Sequence, residues 1–125
     1  TVLEPGDLIT HVTLPPAPPG ARSLYVKLRD RASYEFALAS AAVVVKVVDG
    51  RIAHARVALG GVGTKPWHSP EAEAVLMGGT PDMATFQRAA DAALAGAKPR
   101  SQNAFKVELA RRGLVHALTQ VTQTV

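Results

Sequence analysis

The chain has 125 residues, with 14 Lys+Arg against 10 Asp+Glu (net charge +4), four His and no Cys. That length makes one domain with a real core, and it is short for an enzyme that must also enclose a large cofactor. A composition 47% apolar and 19% charged excludes a disordered segment, and the missing cysteine excludes a disulfide, a thiolate nucleophile and a Cys-held zinc or iron–sulfur cluster.

In chain order, Leu8, Thr10, Val12 and Leu14 alternate with Ile9, His11 and Thr13, so Asp7 to Leu14 reads as a strand. Pro15-Pro16-Ala17-Pro18-Pro19-Gly20 then makes a stiff extended connector, because proline donates no backbone N–H. Ser23 to Arg29 is a second strand, with Leu24, Val26 and Leu28 on one side and Tyr25, Lys27 and Arg29 on the other. A polar interval, Asp30 to Glu35, leads to the apolar run Leu38 to Val48. Asp49-Gly50 follows, and then Arg51 to Gly60. Asp-Gly between two such runs predicts a hairpin, since both central residues of a type I′ turn need positive φ.

Gly60 to Pro66 reads as a flexible strand-to-helix break. Ser69 can cap a helix with Pro70 first and Glu71 in its positive first turn, ending at Gly78-Gly79. The same grammar repeats with Thr80 as cap, Pro81 first and Asp82 next, through Phe86, Ala90 and Leu94 to Gly96. After Lys98-Pro99-Arg100, Ser101 opens a final helix whose Val107, Ala110, Leu114, Leu118 and Val121 share one face. Strands first and helices last predict an α+β sandwich, an antiparallel sheet of about four strands with three helices packed on one face. With 22 Ala and 15 Val against six aromatics, the core is built of small and β-branched side chains.

No self-contained active site stands out. The loop Gly60-Gly61-Val62-Gly63-Thr64-Lys65 lacks the spacing of a phosphate-binding loop, and Pro66 removes a donor. His11, His54, His68 and His116 form no metal-ligand pair. The mild positive charge is too little for a nucleic-acid binder, and no apolar run approaches the ~20 residues of a membrane helix. Lys27 to Arg31 with Tyr25 and Tyr34 sets cations beside aromatics at a strand end, a place for an anionic or electron-rich ligand; pattern alone is satisfied by a solvated strand face. Lys98, Arg100, Lys106, Arg111 and Arg112 share no helical stripe and read as a solvated helix end or a subunit contact.

Tyr25-Val26-Lys27-Leu28-Arg29-Asp30-Arg31-Ala32-Ser33-Tyr34-Glu35-Phe36-Ala37 resembles the segment that opens the C-terminal domain of the FAD-binding (medium) subunit in the xanthine dehydrogenase, aldehyde oxidoreductase and carbon monoxide dehydrogenase family, the molybdenum hydroxylases. In order with it, Leu3-Glu4-Pro5-Gly6-Asp7-Leu8-Ile9 resembles the family's lead-in strand. Asp49-Gly50-Arg51-Ile52 and Ala55 to Val62 resemble its hairpin and glycine exit. Lys65-Pro66, Pro70-Glu71-Ala72-Glu73 and Leu76-Met77-Gly78 resemble the next helix, and Ser101 to Lys106 with Leu109 to Arg112 the last one.

The resemblance implies that residues 1–125 are a single domain, the C-terminal piece of a longer FAD-binding subunit, not catalytic by itself. FAD would be shared with a preceding domain of the same subunit, while iron–sulfur clusters and molybdopterin would sit in partner subunits. Electrons would pass from molybdenum through the clusters to FAD. The partners implied are those three, with no nucleic acid and no membrane insertion. Carried over by position, Lys27 would lie near the isoalloxazine ring, where a cation stabilises negative charge on the reduced flavin and raises its potential. Arg31, in the adjacent loop, would tune the flavin's electrostatics and access to its N5 atom. Glu35-Phe36-Ala37 stands where the family often has an Asp-containing Asp-x-Ala, which leaves any acidic role of Glu35 open. The rival reading is a stand-alone, non-enzymatic interaction or dimerisation domain. Substrate, electron acceptor and compartment are not encoded in these residues.

Overall fold

The computed structural model describes residues 2–123. Its sheet is antiparallel, with the strands in sequence order: β1 (Arg22–Leu28), β2 (Ala39–Val48), β3 (Arg51–Gly60) and β4 (Trp67–His68). The β2–β3 hairpin turns at Asp49 and Gly50, whose φ angles of 49° and 73° are the positive pair that the dipeptide predicts. A register shift between Lys46 and Val47 marks a bulge just before that turn.

The expected strand over Asp7 to Leu14 does not form. That arm is extended and exposed, Leu8 at 83% and Val12 at 76%, and it pairs with no other strand. Alternation makes a strand only where another strand supplies the ladder, and none lies beside it here. The fourth strand is instead the two-residue β4, just after the stretch read as a break, pairing Trp67 with Leu59 and His68 with Ala58.

Three helices cover one face of the sheet: α1 (Pro70–Leu76), α2 (Met83–Leu94) and α3 (Phe105–Thr122). Ser69 caps α1 as expected, its Oγ accepting from the Ala72 N–H at 3.2 Å. Thr80 is not the cap of α2. Asp82 takes that role, its Oδ1 accepting from the Thr85 N–H at 2.8 Å, while the Thr80 hydroxyl donates to the other carboxylate oxygen. A carboxylate is the better acceptor for the first-turn N–H groups, and the helix starts after Pro81 rather than on it. Nor does Ser101 cap α3; that helix begins at Phe105 with no side-chain cap.

The core lies between sheet and helices. Val43, Val45, Val57 and Leu59 of β2 and β3 meet Leu76 of α1 and Leu114, Leu118 and Val121 of α3. Burying each of the larger side chains contributes roughly 1.5–3 kcal/mol. Helix α3 lies over β1 and β2, α1 over β3, and α2 packs against the other two helices through Phe86, Ala89, Ala90 and Ala93. The alanines allow this close approach. So does Gly113 of α3, where a β-carbon would stand 3.1 Å from Leu28 Cδ1.

Candidate functional site

The other face of the sheet carries no helix. Register fixes what it presents: Tyr25, Ala42, Ala58 and His68 form one cross-strand row, Ser23, Val44 and Arg56 the next, and Lys27, Ser40 and Gly60 the row at the loop end. The middle of this face is small and apolar, its rim cationic. It forms an open groove of about 360 Å³ with Tyr25 on one side and Arg56 and His68 on the other. Tyr25 is 61% exposed, and Lys27 makes no side-chain hydrogen bond or ion pair with the described residues. The alternation read along β1 is therefore real: Leu24, Val26 and Leu28 are half-buried under α3, and Tyr25, Lys27 and Arg29 face outward.

Beyond Lys27 the chain forms a loop from Arg29 to Ala37, closed by the Leu38 N–H donating to Leu28 O at 2.9 Å. Arg31 is spent on this loop. Its guanidinium donates to Tyr34 O at 2.5 Å, and its backbone N–H donates to Glu35 Oε2 at 3.0 Å. The two expected cofactor-side cations thus differ, Lys27 open on the sheet face and Arg31 folded back. Glu35 acts here as a loop clasp, and Tyr34 reverses the chain with φ of 52°. At the loop's end the Gly61 backbone nests against it, since a β-carbon there would stand 2.8 Å from Ala37 O.

Sequence reasoning missed Glu73. In α1 it is the buried carboxylate, its Oε1 accepting from the Val57 N–H at 3.0 Å and bonded to His68 Nε2 at 2.8 Å, and its Oε2 taking Arg56 at 3.1 Å. It thereby ties β3, β4 and α1 together beneath the groove. The available signal was its place one turn before Leu76, on the same face as Ala72. The basic group separates as well. Arg111 pairs with Asp91 at 2.7 Å and Arg112 with Glu108 at 2.7 Å, whereas Lys98, Arg100 and Lys106 gather elsewhere. Among the described residues no three His, Asp or Glu side chains come together as a metal site, and no helix is long and apolar enough to cross a membrane.

A four-stranded antiparallel sheet with helices on one face and an open, cation-rimmed second face defines an α+β domain with one large surface to offer. The family model of the CO dehydrogenase flavoprotein C-terminal domain matches residues 24–121, and the chain belongs to that family. It is 46% identical over 120 residues to the aldehyde oxidoreductase FAD-binding subunit PaoB of Escherichia coli K12, covering 96% of this chain and 34% of that subunit. It is 34% identical over 101 residues to the carbon monoxide dehydrogenase medium chain of Afipia carboxidovorans, covering 81% and 35%. The solved CO dehydrogenase of Oligotropha carboxidovorans superposes with a TM-score of 0.88 at 30% identity, over 97% of this chain and 43% of that one. The chain spans about a third of the length of the first of these relatives. The resemblance read from the sequence and the α+β class both hold, and relatives that are subunits of larger enzymes do not favour a stand-alone interaction domain.

Proposed function

We propose that this chain is the C-terminal domain of a longer FAD-binding subunit of a molybdenum hydroxylase, closing the flavin pocket with its helix-free sheet face. The observation that carries the reading is that face itself, small and apolar in the middle, cationic at the rim and uncovered, with Lys27 unengaged beside the loop. These residues fit a flavin. A flat ring needs a flat wall, which Ala42 and Ala58 supply, and a ring that gains negative charge needs a nearby cation, which Lys27 supplies. Bound FAD would supply the electron-pair acceptance that no side chain here can perform. Lys27 would hold the electron-rich edge of the ring, Tyr25 would exclude water along the wall, and Arg31 would keep the adjacent loop in shape from within. The FAD-binding domain of the same subunit would cover the face. The iron–sulfur and molybdopterin subunits of the complex would pass it electrons.

Two observations support a preceding domain. The relatives extend well beyond the matched part, and the exposed arm matches along with the rest of the chain although the family model starts at residue 24. In the full-length, FAD-loaded subunit, Lys27→Ala is expected to lower the flavin midpoint potential on the order of 30 mV, equivalent to ~1.4 kcal/mol for a two-electron couple, with Lys27→Arg retaining most of it. Spectroelectrochemical titration measures this, and an unchanged potential in Lys27→Ala removes Lys27 from the flavin site.

A further inference from the structure

A cavity larger than the groove on the sheet lies away from the helix-free face. Its volume is about 610 Å³, and it sits where the glycine exit of β3 meets the connection between α2 and α3. That size falls within the range of small-molecule sites. One wall is Val62, Gly63 and the indole of Trp67; the other is Leu94, the segment from Gly96 to Arg100, and the first turn of α3 with Asn103, Lys106 and Val107. Lys106 Nζ donates to Gly61 O at 3.2 Å and fastens the walls together. Asn103 Oδ1 accepts from the Arg100 N–H at 2.6 Å and holds the loop in shape. Lys98 and Arg100 are exposed, and their side chains make no hydrogen bond or ion pair with the described residues. No Asp or Glu lines the cavity.

An aromatic face, an apolar floor and two unpaired cations select for a particular shape of ligand. A flat ring stacks on the indole, and an anionic group a few bonds away meets the planar guanidinium and the ammonium. A tetrahedral dianion satisfies both cations at once, which a single carboxylate does less well. We propose that this cavity is a binding site for a nucleoside monophosphate, with the base against Trp67 and the phosphate between Lys98 and Arg100. The site is independent of the flavin reading, since it uses neither Lys27 nor the helix-free face.

Titrating AMP into the full-length, FAD-loaded subunit is expected to give saturable binding by calorimetry, with adenosine binding at least tenfold more weakly and inorganic phosphate displacing AMP. The double substitution Lys98→Gln with Arg100→Gln, both in an exposed loop, is expected to weaken AMP at least tenfold while the circular dichroism spectrum stays unchanged. Lys27→Ala is expected to leave AMP affinity unchanged, which separates this site from the flavin face. Equal affinity for AMP and adenosine, equal affinity for AMP and inorganic phosphate, or no saturable binding each overturns the proposal.

Discussion

Glu73 shows how one side chain can hold three elements. Its carboxylate meets a backbone N–H of β3, an arginine of β3 and a histidine of β4, while Ala72 and Leu76 beside it belong to the core. Glu73→Ala would leave the buried Val57 N–H without its acceptor, and is expected to cost about 2–4 kcal/mol by denaturant unfolding, with Glu73→Gln recovering part of that. The sequence points to Glu71 instead, because first-turn position is visible in a string of letters and the partner across the sheet is not. Lys27 is legible for the opposite reason. Strand alternation fixes which side it faces without any knowledge of its neighbours. Arg31 is legible only as a cation, since its fold back onto Tyr34 depends on the positive φ at that residue.

At the scale of elements, the signals that hold are those in which two adjacent residues suffice. Asp49-Gly50 makes its hairpin and Ser69-Pro70 makes its cap by local geometry alone. Thr80-Pro81-Asp82 offers two competent caps, and the ionised one wins. β4 is invisible in the sequence because two residues carry no period, and the arm is over-read because a period needs a partner strand. The Thr80 hydroxyl, followed by the Thr85 N–H, holds the Asp82 carboxyl below its ordinary value of 3.8. The folded value is depressed, so this contribution to stability is present above the ordinary carboxylate value and is lost as pH falls through the lower folded one. Asp82→Asn keeps the cap and is expected to flatten that part of the acid limb, as read by melting temperature against pH. Gly61 allows the β3 exit to pass beside the β1–β2 loop, with φ of 72° and Ala37 O in the way of any β-carbon. Gly61→Ala is expected to cost about 1–3 kcal/mol and to shift the amide resonances of residues 37 and 38.

Over the whole molecule, residues 22 to 123 hold the sheet, the helices and the core, and the apolar arm before them supplies no strand, no helix and no residue of the core cluster. A broad-specificity protease is expected to trim the arm first, and deleting residues 2–17 to leave the melting temperature nearly unchanged, because the core is untouched. The arm and the open sheet face together describe a domain with two surfaces that water covers poorly.

The sheet order leaves β1 with a partner on one side only. Its far edge is a row of backbone donors and acceptors that any extended chain could join, and the charges that discourage such joining are Arg22 and Lys27. The lysine proposed to face the flavin is therefore also a guard against edge-to-edge stacking of one copy on the next. Replacing it with valine, a good strand residue, would favour fibrous association. Solubility alone favours a cation at this position, whatever the proposed flavin contact adds.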